Sequence, residues 1–193
     1  MRRVIAISLM LAASLTACST SVSSLALHEL PAKEAPQWDL VSVKGLNEHL
    51  TEIYETGTVI SKGGRVAVRG LSNVDYEDFL KPRGTLRISG KGKFDTEDIV
   101  YISFKTCTAN QLSFMRVDGV LKAKDFYNYE VACWSRYGPE EVYLSTQRFF
   151  DPFVWSVLRK VTNYRVSHDG QTLTLLGAQS EQLGLFKRQE ATK

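Results

Sequence analysis

Two Asp-Gly dipeptides limit what this chain can fold into more than any other feature. Leu112 to Val117 and Val120 to Lys124 flank Asp118-Gly119, and Tyr164 to His168 and Thr172 to Leu176 flank Asp169-Gly170. Asp-Gly readily takes the positive φ angles of a type I′ turn, whose twist matches that of paired strands. The second half is therefore predicted to be antiparallel β. Shorter strand-like runs lie at Trp38–Val43, Thr58–Ser61, Arg65–Val68, Thr85–Ser89, Ile99–Phe104 and Leu183–Lys187. Trp38, Leu40 and Ser42 should share one face of the first, and Lys62-Gly63-Gly64 suits a hairpin turn between the second and third.

Helical spacing is rarer. Asp151-Pro152 has the form of a helix start, an N-cap carboxylate followed by proline at the first helical position. Phe153, Val154, Val157, Leu158 and Val161 then form one apolar stripe, which predicts a packed helix over about 152–162. Leu46, Leu50, Ile53 and Tyr54 have the same spacing, and Pro139-Glu140-Glu141 opens a further helical stretch through Phe150. The charged segment 73–83 reads as a surface loop, and Gly90-Lys91-Gly92-Lys93 as a flexible turn without the spacing of a phosphate loop. The expected fold is α+β: a small, mainly antiparallel sheet or partly open barrel with one packed helix, in a single domain over 38–188 with a polar tail at 189–193.

The amino end has a different character. Arg2 and Arg3 precede an uncharged run from Val4 to Ala17, too short for a spanning helix of roughly 20 residues and laid out like a secretory signal. Bulky Leu15 stands three places before Cys18, which suits ordinary signal cleavage poorly. Leu15-Thr16-Ala17-Cys18 instead resembles the bacterial lipobox, which implies a signal peptide over 1–17. It also implies a diacylglycerol and an N-acyl chain on Cys18; no cofactor is expected. Two or three acyl chains, at ~0.8 kcal/mol per buried methylene, hold a protein on a bilayer effectively permanently. Ser19 in place of Asp favours the periplasmic face of an outer membrane by the same resemblance. Residues 18–37, with Pro31 and Pro36, read as a tether, although Leu25, Leu27 and Leu30 suit packing on the domain.

Composition enters at this point. The chain has 24 Lys and Arg against 21 Asp and Glu; Arg2 and Arg3 are the only charges before Cys18, so 22 against 21 remain, or +1. A charge so balanced argues against a nucleic-acid partner. With Cys18 acylated, Cys107 and Cys133 remain in an oxidising compartment and read as one disulfide, the alternative being two buried thiols. The bridge would close a loop of about 25 residues, stabilising by roughly 3 kcal/mol on the chain-entropy model.

Residues 98–188 add a resemblance. A strand, a cysteine, an Asp-Gly hairpin, Val131-Ala132-Cys133 and a short helix come first. Val161-Thr162-Asn163-Tyr164-Arg165-Val166, a second Asp-Gly and Leu173-Thr174-Leu175-Leu176 follow. This series is similar to the META domain of HslJ-like envelope lipoproteins, and Trp38-Asp39-Leu40 resembles that domain's Trp-x-Leu opening. The family's Gly-Cys-Asn reads Thr106-Cys107-Thr108 here, and an insertion between about residues 46 and 97 would reconcile the spacing. The resemblance implies a small exported β fold with envelope or stress roles, and brings no catalytic residues with it.

Chemistry-bearing patterns are sparse. His28, His49 and His168 lie at no metal-ligand spacing, and no Gly-x-Ser-x-Gly elbow is present. Asp75, Glu77 and Asp78 form an acidic cluster without the alternation or glycine of a calcium loop. Tyr127, Tyr129, Trp134 and Tyr137 lie in the densest aromatic region, the type of anchor found at binding surfaces, although such rings also fill cores. These seven residues are the candidate binding surface. The expected function is non-catalytic: a lipoprotein held on the bilayer through Cys18, binding an envelope protein or glycan or assisting envelope assembly. The alternatives are an inhibitor of an envelope-attacking hydrolase such as lysozyme, or a hydrolase in which His49 or His168 meets a serine or carboxylate.

Overall fold

The computed structural model describes residues 27–61, 64–67, 71, 75–81, 83–90, 98–106, 109–129, 150 and 152–190. Eight strands form one antiparallel sheet: β1 (Trp38–Val43), β4 (Thr85–Ser89), β5 (Ile99–Lys105), β6 (Ala109–Val117), β7 (Val120–Tyr129), β8 (Asn163–Val166), β9 (Thr172–Leu176) and β10 (Gln182–Arg188). Their order is β7-β6-β5-β4-β1-β10-β9-β8, so β1 joins two meanders. The fold is thus α+β and mostly antiparallel β, as the turns predict. β2 (Thr58–Ser61) and β3 (Gly64–Ala67) pair separately as a two-stranded sheet. β4 falls inside the stretch 46–97, yet it lies between β1 and β5 in the main sheet.

Residues directly opposite in an antiparallel pair share a face, and the register sorts the strands cleanly. Trp38, Leu86, Ile102, Phe104, Leu112, Phe114, Leu173, Leu175 and Phe186 face inward and are almost wholly buried. The sheet curls around this core without closing. Its two edge strands meet at one point, where Leu121 N in β7 donates to the carbonyl of Thr162, the residue before β8, at 2.8 Å.

Three register shifts interrupt the ladders, one of them in β10 between Gln182 and Gly184. Val41 is the extra residue in β1, so Leu40 pairs with Phe186 and Ser42 with Leu185. The slip turns Val43 inward in place of Ser42, correcting the strict alternation read from the sequence. In β7 a bulge opposite Ser113 frees the amide of Asp125, which donates to Ser113 Oγ at 3.1 Å. Ser113 is nevertheless buried.

The helix of residues 152–158, α3, packs into the curl with Val154, Trp155 and Leu158 buried. It is shorter than the predicted 152–162 because Thr162 N already bonds the carbonyl of Leu176 in the sheet ladder. α1 (Leu46–Thr56) lies between left-handed glycines Gly45 (φ 76°) and Gly57 (φ 58°) and buries Leu46, Leu50 and Ile53, the expected stripe. Residues 76–80 form a helix, α2 (Tyr76–Leu80), where a loop was predicted. Asp75 caps it by accepting from Glu77 N and Asp78 N, and Phe79 is buried.

The segment read as tether is partly folded. Leu27–Glu29 is a 3-10 turn against β4 and β5, Leu27 is fully buried, and Gly90 N donates to Leu30 O at 2.8 Å. Arg87, on the outward side of β4, donates to Ala32 O at 3.1 Å. At the other end, Gln189 N donates to Gln37 O and Gln189 Nε2 to the Asp39 carboxylate at 2.6 Å.

Candidate functional site

Five of the seven predicted surface residues divide between two elements, β7 and the start of α2. Tyr127 sits on β7 opposite Gln111, on the outward face, and is 44% exposed. Tyr129 ends the same strand. Trp134 and Tyr137 lie outside the described residues, as do Cys18, Cys107 and Cys133. The acidic trio surrounds the start of α2, which packs on α1 through Tyr54, whose ring centroid lies 5.0 Å from that of Tyr76 and 5.3 Å from that of Phe79. The role of Asp75 is explained by its cap, which satisfies two amides that the helix start leaves without partners. Glu77 and Asp78 are exposed beside it.

Phe126, next to Tyr127, has a different job. It faces inward opposite Leu112, meets Trp155 edge-on at 5.2 Å, and lies 5.0 Å beneath the Arg159 guanidinium. It fastens α3 to the edge strand. Neighbouring aromatics on one strand thus point to opposite faces, and both keep solvent exposure, Phe126 37% and Tyr127 44%.

Sequence reasoning missed a cleft between α1 and the β2–β3 hairpin. His49, Glu52, Ile53, Thr56, Thr58 and Arg65 line a cavity of about 170 Å³. Positions 49, 52, 53 and 56 follow the three-and-four spacing of one helix face, a legible signal; the hairpin side was not legible. His49 stacks on Phe153 at 4.5 Å, which joins α1 to α3. Thr56 Oγ1 donates to Glu52 O at 2.7 Å and lies 3.0 Å from Thr58 Oγ1. Glu52 and Arg65 bring opposite charges to the exposed rim. His49 and Glu52 therefore share a cleft, whereas His168 lies exposed in the β8–β9 turn.

That turn holds the resolved titration effect. The Ser167 hydroxyl and the Gln171 amide both donate to Asp169, holding its carboxyl below the ordinary carboxylate range. The group is a turn lock on the surface. Among the described residues, no three His, Cys, Asp or Glu side chains group as metal ligands.

Together these features define a small antiparallel β protein with helices packed against a curled sheet and an exposed tyrosine on its outward wall. Comparison with protein-family models, with characterised proteins and with solved structures finds no match to the chain.

Proposed function

We propose that this protein is a lipid-anchored, non-catalytic lipoprotein of the periplasmic face of an outer membrane, which binds an envelope component. The observation that carries the reading is Leu15-Thr16-Ala17-Cys18 closing an uncharged run after Arg2-Arg3. Two further points support it. The motif order of residues 98–188 resembles the META domain, which implies an envelope role, and Tyr127 stands exposed on a strand, where an amphipathic ring can anchor a contact.

The test is metabolic acyl labelling with membrane fractionation. Wild-type protein should carry acyl label and sediment with membranes, and Cys18→Ala should lose both. A photo-crosslinker at position 127 should capture an envelope component in intact cells, whereas one at exposed position 44 should not. Unlabelled, soluble wild-type protein would overturn the reading.

A catalytic second reading rests on His49 and Glu52 in their shared cleft. The binding reading expects His49→Ala to leave capture from position 127 unchanged. Loss of capture in a folded His49→Ala protein would favour the cleft instead.

A further inference from the structure

The outward wall of β5, β6 and β7 sets apolar side chains among polar ones, on a sheet whose other face already covers a core. Register places Ile99 opposite Met115, Met115 opposite Lys122, and Val117 opposite Val120, all outward. Ser103, Gln111 and Tyr127 form the next outward row but one. Val120 is 42% and Tyr127 44% exposed, with Ile99, Met115 and Val117 half-buried. The outward charges on these strands and their hairpin nearly cancel: Lys105, Lys122 and Lys124 against Asp118 and Asp125. What the wall offers a partner is aliphatic and aromatic surface edged by lysine.

The chain's own route says what lies opposite. The described chain begins at Leu27, against β4 and β5, and Arg87 on the outward side of β4 holds Ala32. Because residues 27–37 belong to the fold, only residues 19–26 separate Cys18 from it. Those eight residues can span at most ~30 Å. The anchor thus lies within ~30 Å of Leu27, which packs against β4 and β5 beside this wall.

We infer that the outward β5–β7 wall lies against the bilayer that holds the Cys18 anchor. The inference rests on the lipid-anchor reading and names the envelope component that Tyr127 meets as the lipid surface itself. Aliphatic side chains enter the headgroup boundary, and the tyrosine ring and the Lys122 ammonium sit at headgroup level, out of free solution. With nearly cancelling charge, the contact does not depend on anionic lipid.

The experiment uses full-length acylated protein in phosphatidylcholine vesicles. A water-soluble amine-acetylating reagent is added, and mass spectrometry reads the rate at each lysine. Lys187, exposed on β10 and five strands from β7 around the curl, is the reference. Lys122 should react several-fold more slowly than Lys187 on vesicles. Met115→Ser with Tyr127→Ser should bring the two rates together while Cys18 keeps its acyl mass. Equal rates in wild-type protein that carries acyl mass on Cys18 overturn the inference and leave the anchor standing. Absence of that mass overturns the anchor reading, and this one with it.

Discussion

The two faces of the eight-stranded sheet are built from the same strands to opposite ends. Inward, aromatic and aliphatic side chains from β1, β4, β5, β6, β9 and β10 interlock around α3 with almost no exposure. Outward, β5 to β7 mix serine, glutamine and lysine with Ile99, Met115, Val120 and Tyr127, and nothing in the described chain packs on Val120 or Tyr127 enough to bury them. A period of two lets one strand serve both faces. The inward face holds the fold together, whereas the outward face is left for contact. Substitutions that separate stability from surface behaviour test that division.

The largest loss should come from Phe114→Ala, which empties a fully buried inward position. Denaturant unfolding should show about 3–5 kcal/mol of destabilisation. Gly84→Ala should follow at about 2–4 kcal/mol, because its φ of 130° suits glycine and a Cβ would stand 2.5 Å from the Phe104 ring. Ser113→Ala marks the border between the faces. It strips the Asp125 amide of its acceptor and should cost about 1–3 kcal/mol; no loss would show that the bulge is satisfied by other means.

Asp169→Ala probes the rim of the sheet through pH. The folded carboxyl is held below the ordinary value of 3.8, so its stabilising effect is full above that value and fades as pH falls through the lowered one. Wild type should therefore be the more stable at neutral pH, with the gap to Asp169→Ala closing in acid. A gap that stays constant would assign the effect to turn geometry alone. The smallest change in folding should come from Tyr127→Ser, within about 0.5 kcal/mol as expected of an exposed position. A loss comparable to that of Phe114→Ala would erase the distinction between the faces.

What could be read beforehand follows the range of the forces involved. The Asp118-Gly119 hairpin was legible because both residues take positive φ, 53° and 76°, as a type I′ turn requires. The same dipeptide at Asp169-Gly170 makes a longer turn in which only Gly170 is positive, at 68°. There the Asp169 side chain bonds Ser167 and Gln171, a choice that the dipeptide alone does not dictate. α2 replaces the expected loop although its signature is local: a cap at Asp75, acids in the first turn and an apolar Phe79. The β1 bulge was not legible, since its register is set by β10, more than a hundred residues away. Trp155 lay outside the predicted stripe of α3 and is buried by Phe104 and Phe126 from distant strands. Of the candidate surface, the outward position of Tyr127 required the β7 bulge, and the cleft at His49 required the hairpin to fold back.

The bonds from Gln189 to Gln37 and Asp39 have one more consequence. They bring the start of β1 and the end of β10 side by side, with the packed segment from Leu27 leading into that junction. A linker from Gln189 back to Leu27, with fresh ends cut between Asp118 and Gly119, would preserve the ten described strands and the segment that precedes them. Such a circularly permuted molecule would carry its new amino terminus at the far tip of a hairpin, and any leash attached there would present a different flank to whatever it was moored on.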